Sequence, residues 1–290
     1  MNSKQLNGQY YTTSNPFVGD VFNAWYALLP DGPILEPFAG SGNLFNYVDR
    51  KWVGYDIEPN GNGIIQRDTL LNFPTGYDVC ITNPPYLAKT VVARRKLPIT
   101  LIREDLYLDC LEQCLTHCPY VAVIIPSSFL TIKGLKSRLF GIDKIDRKIF
   151  DDTDCPVLVA YFTPEHNTKV LKGVNGVALD IDHLEPSNVM KVVKFNQAIN
   201  NYTLIGIDST KGDNIQVVPY DNTEVKSTNR AIVPFYSNTK LDLNTINATI
   251  QQWREATKDF YLQSFKSCMN TGKYRKRLSF AQLHYLLTIV

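Results

Sequence analysis

Residues 77–86 read Tyr-Asp-Val-Cys-Ile-Thr-Asn-Pro-Pro-Tyr, and the last four bring together an amide, a stiff backbone and an aromatic ring. The Asn83 side-chain oxygen and the Pro84 carbonyl are acceptors, and the Tyr86 ring offers a face for stacking. The run before them is short and largely apolar, which predicts a buried strand. Pro84 and Pro85 cannot donate to a sheet ladder, so the strand has to stop there. A residue before a proline is pushed to extended geometry, so Asn83 and Pro84 are both held extended at the strand's carboxyl end. Open α/β sheets bind ligands at that end. A plain Pro-Pro turn after a core strand is the alternative for these residues alone.

Other polar groups fall at the ends of other apolar runs. Ile34-Leu35 predicts a strand, and Glu36-Pro37-Phe38-Ala39-Gly40-Ser41-Gly42-Asn43 a turn leading to a helix at Leu44-Phe45. Gly40 and Gly42 permit backbone angles and a close approach that a Cβ would block. A phosphate loop is excluded, because the Walker lysine is missing and Glu36 would repel a phosphate. Lys51–Pro59 predicts the next strand and its end. An acid about twenty residues past a glycine turn is placed to accept from ribose hydroxyls; Asp56 and Glu58 both answer, and spacing does not separate them. Asp68 is a third acid, at a third strand end. Further helices are expected over 16–29, 104–117 and 133–140, and strands at 121–126, 148–150 and 157–162. Alternation of this kind predicts a mostly parallel α/β sheet.

Asn83-Pro84-Pro85-Tyr86 resembles motif IV of the amino-methyltransferases that use S-adenosylmethionine, in the form found in N6-adenine enzymes. The segment 36–43 resembles their motif I, Asp56 with Ile57 motif II, Asp68 motif III, and Gly8-Gln9-Tyr10-Tyr11-Thr12-Thr13 motif X. The stretch from Phe150 to Phe162 is similar to motif VIII. Motif X first, then I through VIII, then an unmatched segment, is the order of the gamma class. The resemblance implies a class I methyltransferase fold, Rossmann-like with helices on both faces of the sheet, and a smaller mixed α+β C-terminal domain. It implies methyl transfer from S-adenosylmethionine to the N6 amine of a flipped adenine in DNA. Tyr11, Thr12, Glu36, Phe38, Gly40, Gly42, Asp56, Ile57, Asp68 and Asn83 would hold the cofactor. Asn83 and Pro84 would take the two hydrogens of a poorly nucleophilic amine, and Tyr86 and Phe150 would pack on the base. No metal is implied. RNA or protein-glutamine methyltransferases and N4-cytosine enzymes share parts of this pattern, and a non-catalytic nucleic-acid-binding protein is the alternative from another class.

The 290 residues, 44% apolar and 20% charged, are those of a globular protein with ample core. No bilayer-length apolar run and no leader are seen, which predicts a cytosolic protein, bacterial or phage by the resemblance. Cys110, Cys114 and Cys118 are spaced by four with His117 beside them, but without a tight Cys-x-x-Cys pair they read as small helix residues. Residues 1–164, the expected catalytic domain, carry 15 Lys/Arg and 17 Asp/Glu; residues 165–290, the expected target-recognition domain, carry 15 and 11. The C-terminal part is Asn-rich, with strands expected at 202–207, 215–220 and 231–236 and a helix near 246–265. The expected partners are double-stranded DNA and a cognate restriction endonuclease, with no membrane, for a monomer or weak dimer. Two basic stretches could meet phosphates: a loop with Lys89, Arg94, Arg95 and Lys96, and an acid-free C-terminal stretch, expected to be helical, with Lys273, Arg275, Lys276 and Arg277.

Overall fold

The apolar runs at 79–82, 121–125 and 157–162 are buried along their whole length, as strands covered on both faces must be. They form the middle of a nine-stranded sheet in a computed structural model that describes residues 10–151, 153–187, 190–221 and 231–290. Its strands are β1 (Ile34–Glu36), β2 (Trp52–Asp56), β3 (Ile65–Gln66), β4 (Val79–Thr82), β5 (Tyr120–Pro126), β6 (Leu139–Lys144), β7 (Val157–Phe162), β8 (Leu171–Val174) and β9 (Val177–Leu179). Their order is β3-β2-β1-β4-β5-β7-β6-β8-β9. From β3 to β5 every pairing is parallel. β7 runs antiparallel to both β5 and β6. β6 and β8 pair in parallel, and β9 at the edge is antiparallel to β8. A mostly parallel sheet with this order and a reversed β7 is the class I methyltransferase fold. The chain leaves β1 toward β2 and β3, then returns to add β4 on the other side. The strand order therefore reverses between β1 and β4, where a crevice opens at the carboxyl ends.

Helix α1 (Gly19–Tyr26) packs on β6, β8 and β9, and its Trp25 is buried with Nε1 donating to the Phe162 carbonyl at 2.9 Å. The basic stretch after Tyr86 is a short helix, α2 (Lys89–Arg95), not a loop; Lys96 stops it in the left-handed region. Helix α3 (Leu106–His117) lies against β5, started by the Asp105 side chain, which accepts from the Tyr107 amide.

Four local expectations are corrected. The segment 133–140 is not a helix: Gly134 and Leu135 both have positive φ, and the chain enters β6 at Leu139. The strand expected at 148–150 is a single bridge between Phe150 and Thr12. Only a 3₁₀ turn, Asn43–Asn46, follows the glycine turn, with Gly42 at φ +76° at its head. The sheet also continues past residue 164 through β8 and β9, and the compact units are Met1–Leu179 and Asp180–Val290.

In the second unit β10 (Lys194–Phe195), β11 (Tyr202–Ile205), β12 (Gln216–Pro219) and β13 (Ile232–Tyr236) form an antiparallel sheet ordered β10-β13-β11-β12. Helix α4 (Leu243–Thr257) places Ile246, Ile250 and Trp253 in a core with Leu204, Val217 and Phe235. It ends before the expected 265 because Lys258 and Asp259 both take positive φ. A hairpin of β14 (Gln263–Cys268) and β15 (Tyr274–Arg277) follows, then helix α5 (Phe280–Thr288) with a Ser279–Gln282 capping box. The basic stretch expected to be helical is therefore β15.

Arg254 of α4 is buried and makes two bonds to Asp208, at 2.9 and 3.0 Å, and two to Asp259, both at 2.9 Å. Asp208 is fully buried. Replacing Arg254 by Met should destabilise this unit by about 3–5 kcal/mol, since it leaves a buried carboxylate without its counter-charge. Urea unfolding followed by tryptophan fluorescence measures it; a loss below about 1 kcal/mol would mean that the pair is neutral to stability.

Candidate active site

The crevice between β1 and β4 is set by two neighbouring strand ends. Glu36 closes β1 and is buried. Its Oε1 accepts from Thr82 Oγ at the end of β4, at 2.5 Å, while Oε2 is buried with no partner. Burial, partly opposed by the hydrogen bond from Thr82, raises the carboxyl pKa to about 8. The residue thus rests mainly neutral, with one oxygen free to meet a cation.

The turn after β1 is held by β2. The Gly40 amide donates to Asp56 Oδ2 at 2.7 Å, and the Glu58 amide donates to Asp56 Oδ1 at 2.8 Å. Gly40 needs its lack of a side chain: φ is +53°, and a Cβ would stand 2.7 Å from the Tyr11 ring. A carboxylate has about four acceptor directions, so Asp56 keeps two for a ligand. Asp68 Oδ1 accepts from the Leu70 and Leu71 amides and caps its own turn.

These groups line one cavity of about 710 Å³. Of the residues singled out in the sequence, Tyr11, Thr12, Glu36, Phe38, Gly40, Asp56, Ile57, Asp68 and Asn83 face it. Gly42 does not; it shapes the turn. Pro84 and Tyr86 are absent from the lining, and Pro85 is present. The wall opposite the strand ends includes Leu97, Pro98, Ile99 and Thr100, which the sequence reading had placed in or beside a phosphate-gripping loop. Leu97-Pro98-Ile99 is an apolar break after three cations, and that was the available signal. Thr82 was also missed, though it directly precedes the Asn-Pro-Pro run.

Asn83 stands at the cavity's edge with both ends of its amide engaged. Nδ2 donates to the Tyr10 carbonyl at 2.7 Å and to Thr12 Oγ1 at 3.3 Å. Oδ1 accepts from the Tyr86 hydroxyl at 2.7 Å, which also lies 2.9 Å from the Ile124 carbonyl. The Tyr86 and Phe150 rings are buried, and each is in contact with the Tyr10 ring.

The cations divide. Lys89, Arg94 and Lys96 are exposed on and after α2, and Arg95 is half-buried. In the second unit Lys273 is exposed, and Arg275 donates to the Asp208 carbonyl. Lys276 is only 2% exposed, its Nζ on Ser264 Oγ. It sits too deep to meet a phosphate. Cys110, Cys114 and Cys118 are buried thiols. Among the described residues there is no group of three or more His, Cys, Asp or Glu that could hold a metal ion. No helix among them is long and apolar enough to cross a membrane.

Residues 44–163 match the family model of the Eco57I restriction-modification methylase. That segment runs from the turn after Asn43 to the end of β7, and the match supports a resemblance to restriction-modification methylases. No curated protein matches the chain. Among solved structures, a type I restriction-modification methyltransferase subunit from Streptococcus thermophilus is 16% identical, with a TM-score of 0.42 over 58% of this chain and 48% of its own. A modification subunit of a putative type I restriction enzyme from Vibrio vulnificus YJ016 is 16% identical, with a TM-score of 0.39 over 57% and 47%. A DrdV–DNA complex is 16% identical, with a TM-score of 0.38 over 59% and 28%. The matches therefore span about half or less of those chains.

The Glu36 carboxyl gives a pH signature. Its pKa is near 4.5 when unfolded and about 8 when folded, so the folded state holds the extra proton between those values. Stability contributed by that proton is full below pH 4.5 and is lost as pH rises through 8. Glu36→Gln keeps a neutral acceptor for Thr82 and should flatten the decline of stability between pH 5 and 8. Denaturant midpoints of both proteins across that range check this; parallel curves would place the titration elsewhere.

Proposed function

We propose that this chain transfers a methyl group from S-adenosylmethionine to the N6 amine of an adenine in DNA, with the base turned out of the duplex to reach Asn83. Methylases of the restriction-modification family generally use this cofactor, whose sulfonium supplies an electrophilic methyl. The observation that carries the reading is the pairing, across one switch point, of the Asn83 amide with a buried carboxyl oxygen that lacks a partner.

The residues present fit the cofactor. Glu36 Oε2 would receive the ammonium, Asp56 the ribose hydroxyls with Glu58 as the alternative, and Ile57 one face of the adenine. Asp68 would accept from the adenine amine. On the target side, Asn83 Oδ1 and the Pro84 carbonyl would accept the two hydrogens of the amine, which lets its nitrogen turn its lone pair toward the methyl. Holding that nitrogen in line provides most of the acceleration. No base is needed before attack, because the methylated amine is strongly acidic. The cations on α2 would grip backbone phosphates, and the unit from Asp180 would select the target sequence. DNA, and other subunits of a restriction-modification system, are the proposed partners. A phosphate grip implies binding that weakens steeply with salt.

The reading is tested by tritium transfer from labelled cofactor to duplex DNA, RNA and protein in parallel, with label expected in adenine of the duplex. Asn83→Ala should abolish transfer and leave cofactor affinity within about threefold, a change under 1 kcal/mol. Near wild-type turnover would remove Asn83 from catalysis. Cofactor binding at pH 7 should release about one proton, because a cation beside Glu36 favours its ionised form. Calorimetry in buffers of different ionisation enthalpy reads the count. S-adenosylhomocysteine keeps the ammonium and lacks the sulfonium, so equal release by both ligands assigns the ammonium to Glu36. No release by either would take Glu36 out of the cofactor site.

A further inference from the structure

The Tyr86 and Phe150 rings, the surfaces that a target base would use on the proposed reading, are in contact with a third ring. Tyr10 lies 5.8 Å from Tyr86 and 6.2 Å from Phe150, centroid to centroid, and those two lie 6.3 Å apart edge to face. These are the separations of rings in direct contact, so no further ring fits between Tyr10 and Tyr86. The same residue acts on the polar side of the slot. Its carbonyl accepts the Asn83 amide N–H at 2.7 Å, which turns Asn83 Oδ1 onto the Tyr86 hydroxyl. The acceptor that an incoming amine needs is thereby already in use. Tyr10 belongs to a short strap. Thr12 bridges to Phe150, Thr13 is bonded to the Ile149 carbonyl through N and Oγ1, and the Thr12 carbonyl accepts from Asn43 and Tyr47. The strap is anchored to the sheet side at Thr12 and Thr13.

We infer that Tyr10 is a positioning residue that occupies the target-base slot in the free protein and yields it to a planar base. The base replaces the ring against Tyr86 and Phe150, and its amine replaces the Tyr86 hydroxyl as donor to Asn83 Oδ1. Only the fraction of molecules with the ring displaced is competent to bind, so the ring raises the apparent dissociation constant for any flipped base by that fraction. The slot also admits only an occupant whose stacking surface outcompetes a phenol ring. A purine does this better than a pyrimidine, which makes the contact a source of discrimination as well as of closure.

This inference rests on the proposed function, and the test separates the two. On the full-length chain, steady-state methyl transfer to duplex DNA is measured for wild type, Tyr10→Ala and Tyr10→Phe. Removing the ring should lower the KM for the duplex roughly threefold to tenfold, the range expected for lost ring contacts, whatever happens to kcat. Tyr10→Phe keeps the ring and should restore the wild-type KM. In parallel, 3-fluorotyrosine at position 10 reports the ring itself. Tyr10 is half-buried in the free chain, and the solvent isotope shift of its ¹⁹F resonance should grow once duplex is bound. Transfer by wild type with a raised or unchanged KM in Tyr10→Ala, or an isotope shift that does not grow on the duplex, would overturn the inference and leave the methyltransferase reading intact. A raised KM would mean that Tyr10 is a fixed wall that packs on the base. Absence of methyl transfer to any nucleic acid by wild type would instead overturn the function, and this inference with it.

Discussion

The hydrogen bond from Thr82 to Glu36 joins the ends of β1 and β4 at the point where the sheet changes direction. Parallel register brings Leu35 level with Cys80, so the next residues of both strands arrive side by side at the crevice. Each strand then has to leave the sheet at once. β4 does so because two prolines follow Asn83, and β1 because the chain after Pro37 turns at Gly40. Burying a charged carboxylate here would cost several kcal/mol, and the protein avoids that cost by keeping Glu36 protonated and bonded through one oxygen. The other oxygen stays unsatisfied. A buried polar atom without a partner calls for an explanation, and at Glu36 the cavity that the residue lines offers one.

Asp56 extends this constraint outward. Its two oxygens tie the glycine turn of β1 to the turn after β2, so the crevice floor is assembled from three strand ends before any ligand arrives. Thr69, whose hydroxyl donates to the Pro37 carbonyl at 2.9 Å, adds the segment after β3 to the same frame. The frame is held by hydrogen bonds between strand ends and turns. On the target side of Asn83 it is replaced by side-chain contacts alone, namely three aromatic rings and two hydrogen bonds on one amide.

Legibility in the sequence followed the range of the interactions. The order of strand ends was readable because each carries a local signature: a Pro-Pro stop, a paired-glycine turn, an acid after an apolar run. The sheet, α3 and the cavity-facing acids follow from those signatures. What failed was decided by single backbone angles or by distant partners. Leu135, Lys258 and Asp259 take the left-handed conformation with side chains that do not announce it, and so a helix expected at 133–140 is absent and α4 ends early. The missing helix after the glycine turn is a tertiary matter, since Phe45 packs instead against Trp52 at 5.2 Å. Tyr86 and Phe150 were identified as aromatic groups near the amide, but their covering by Tyr10 depends on a bridge between Thr12 and Phe150 that no local pattern encodes.

Charge was the least legible property, and the second unit explains why. A count of cations assumes that each faces solvent. On β15 the side chains alternate, so one of two adjacent cations has to turn inward, and Lys276 is that one. It is tolerated beside Ser264 because its strand backbone also donates to Asp208, the carboxylate on which Arg254 is clamped. Arg275 is held by the carbonyl of that same aspartate. Three of the cations that made this part of the chain look ready for a polyanion are therefore bound to one buried acid or to its neighbours, where they hold α4 to the hairpin. The cations of α2 follow the strand end carrying Asn83 within a few residues, and Lys89, Arg94 and Lys96 among them are exposed. Which cations reach solvent is set by strand alternation and by buried partners, and a count of charges encodes neither.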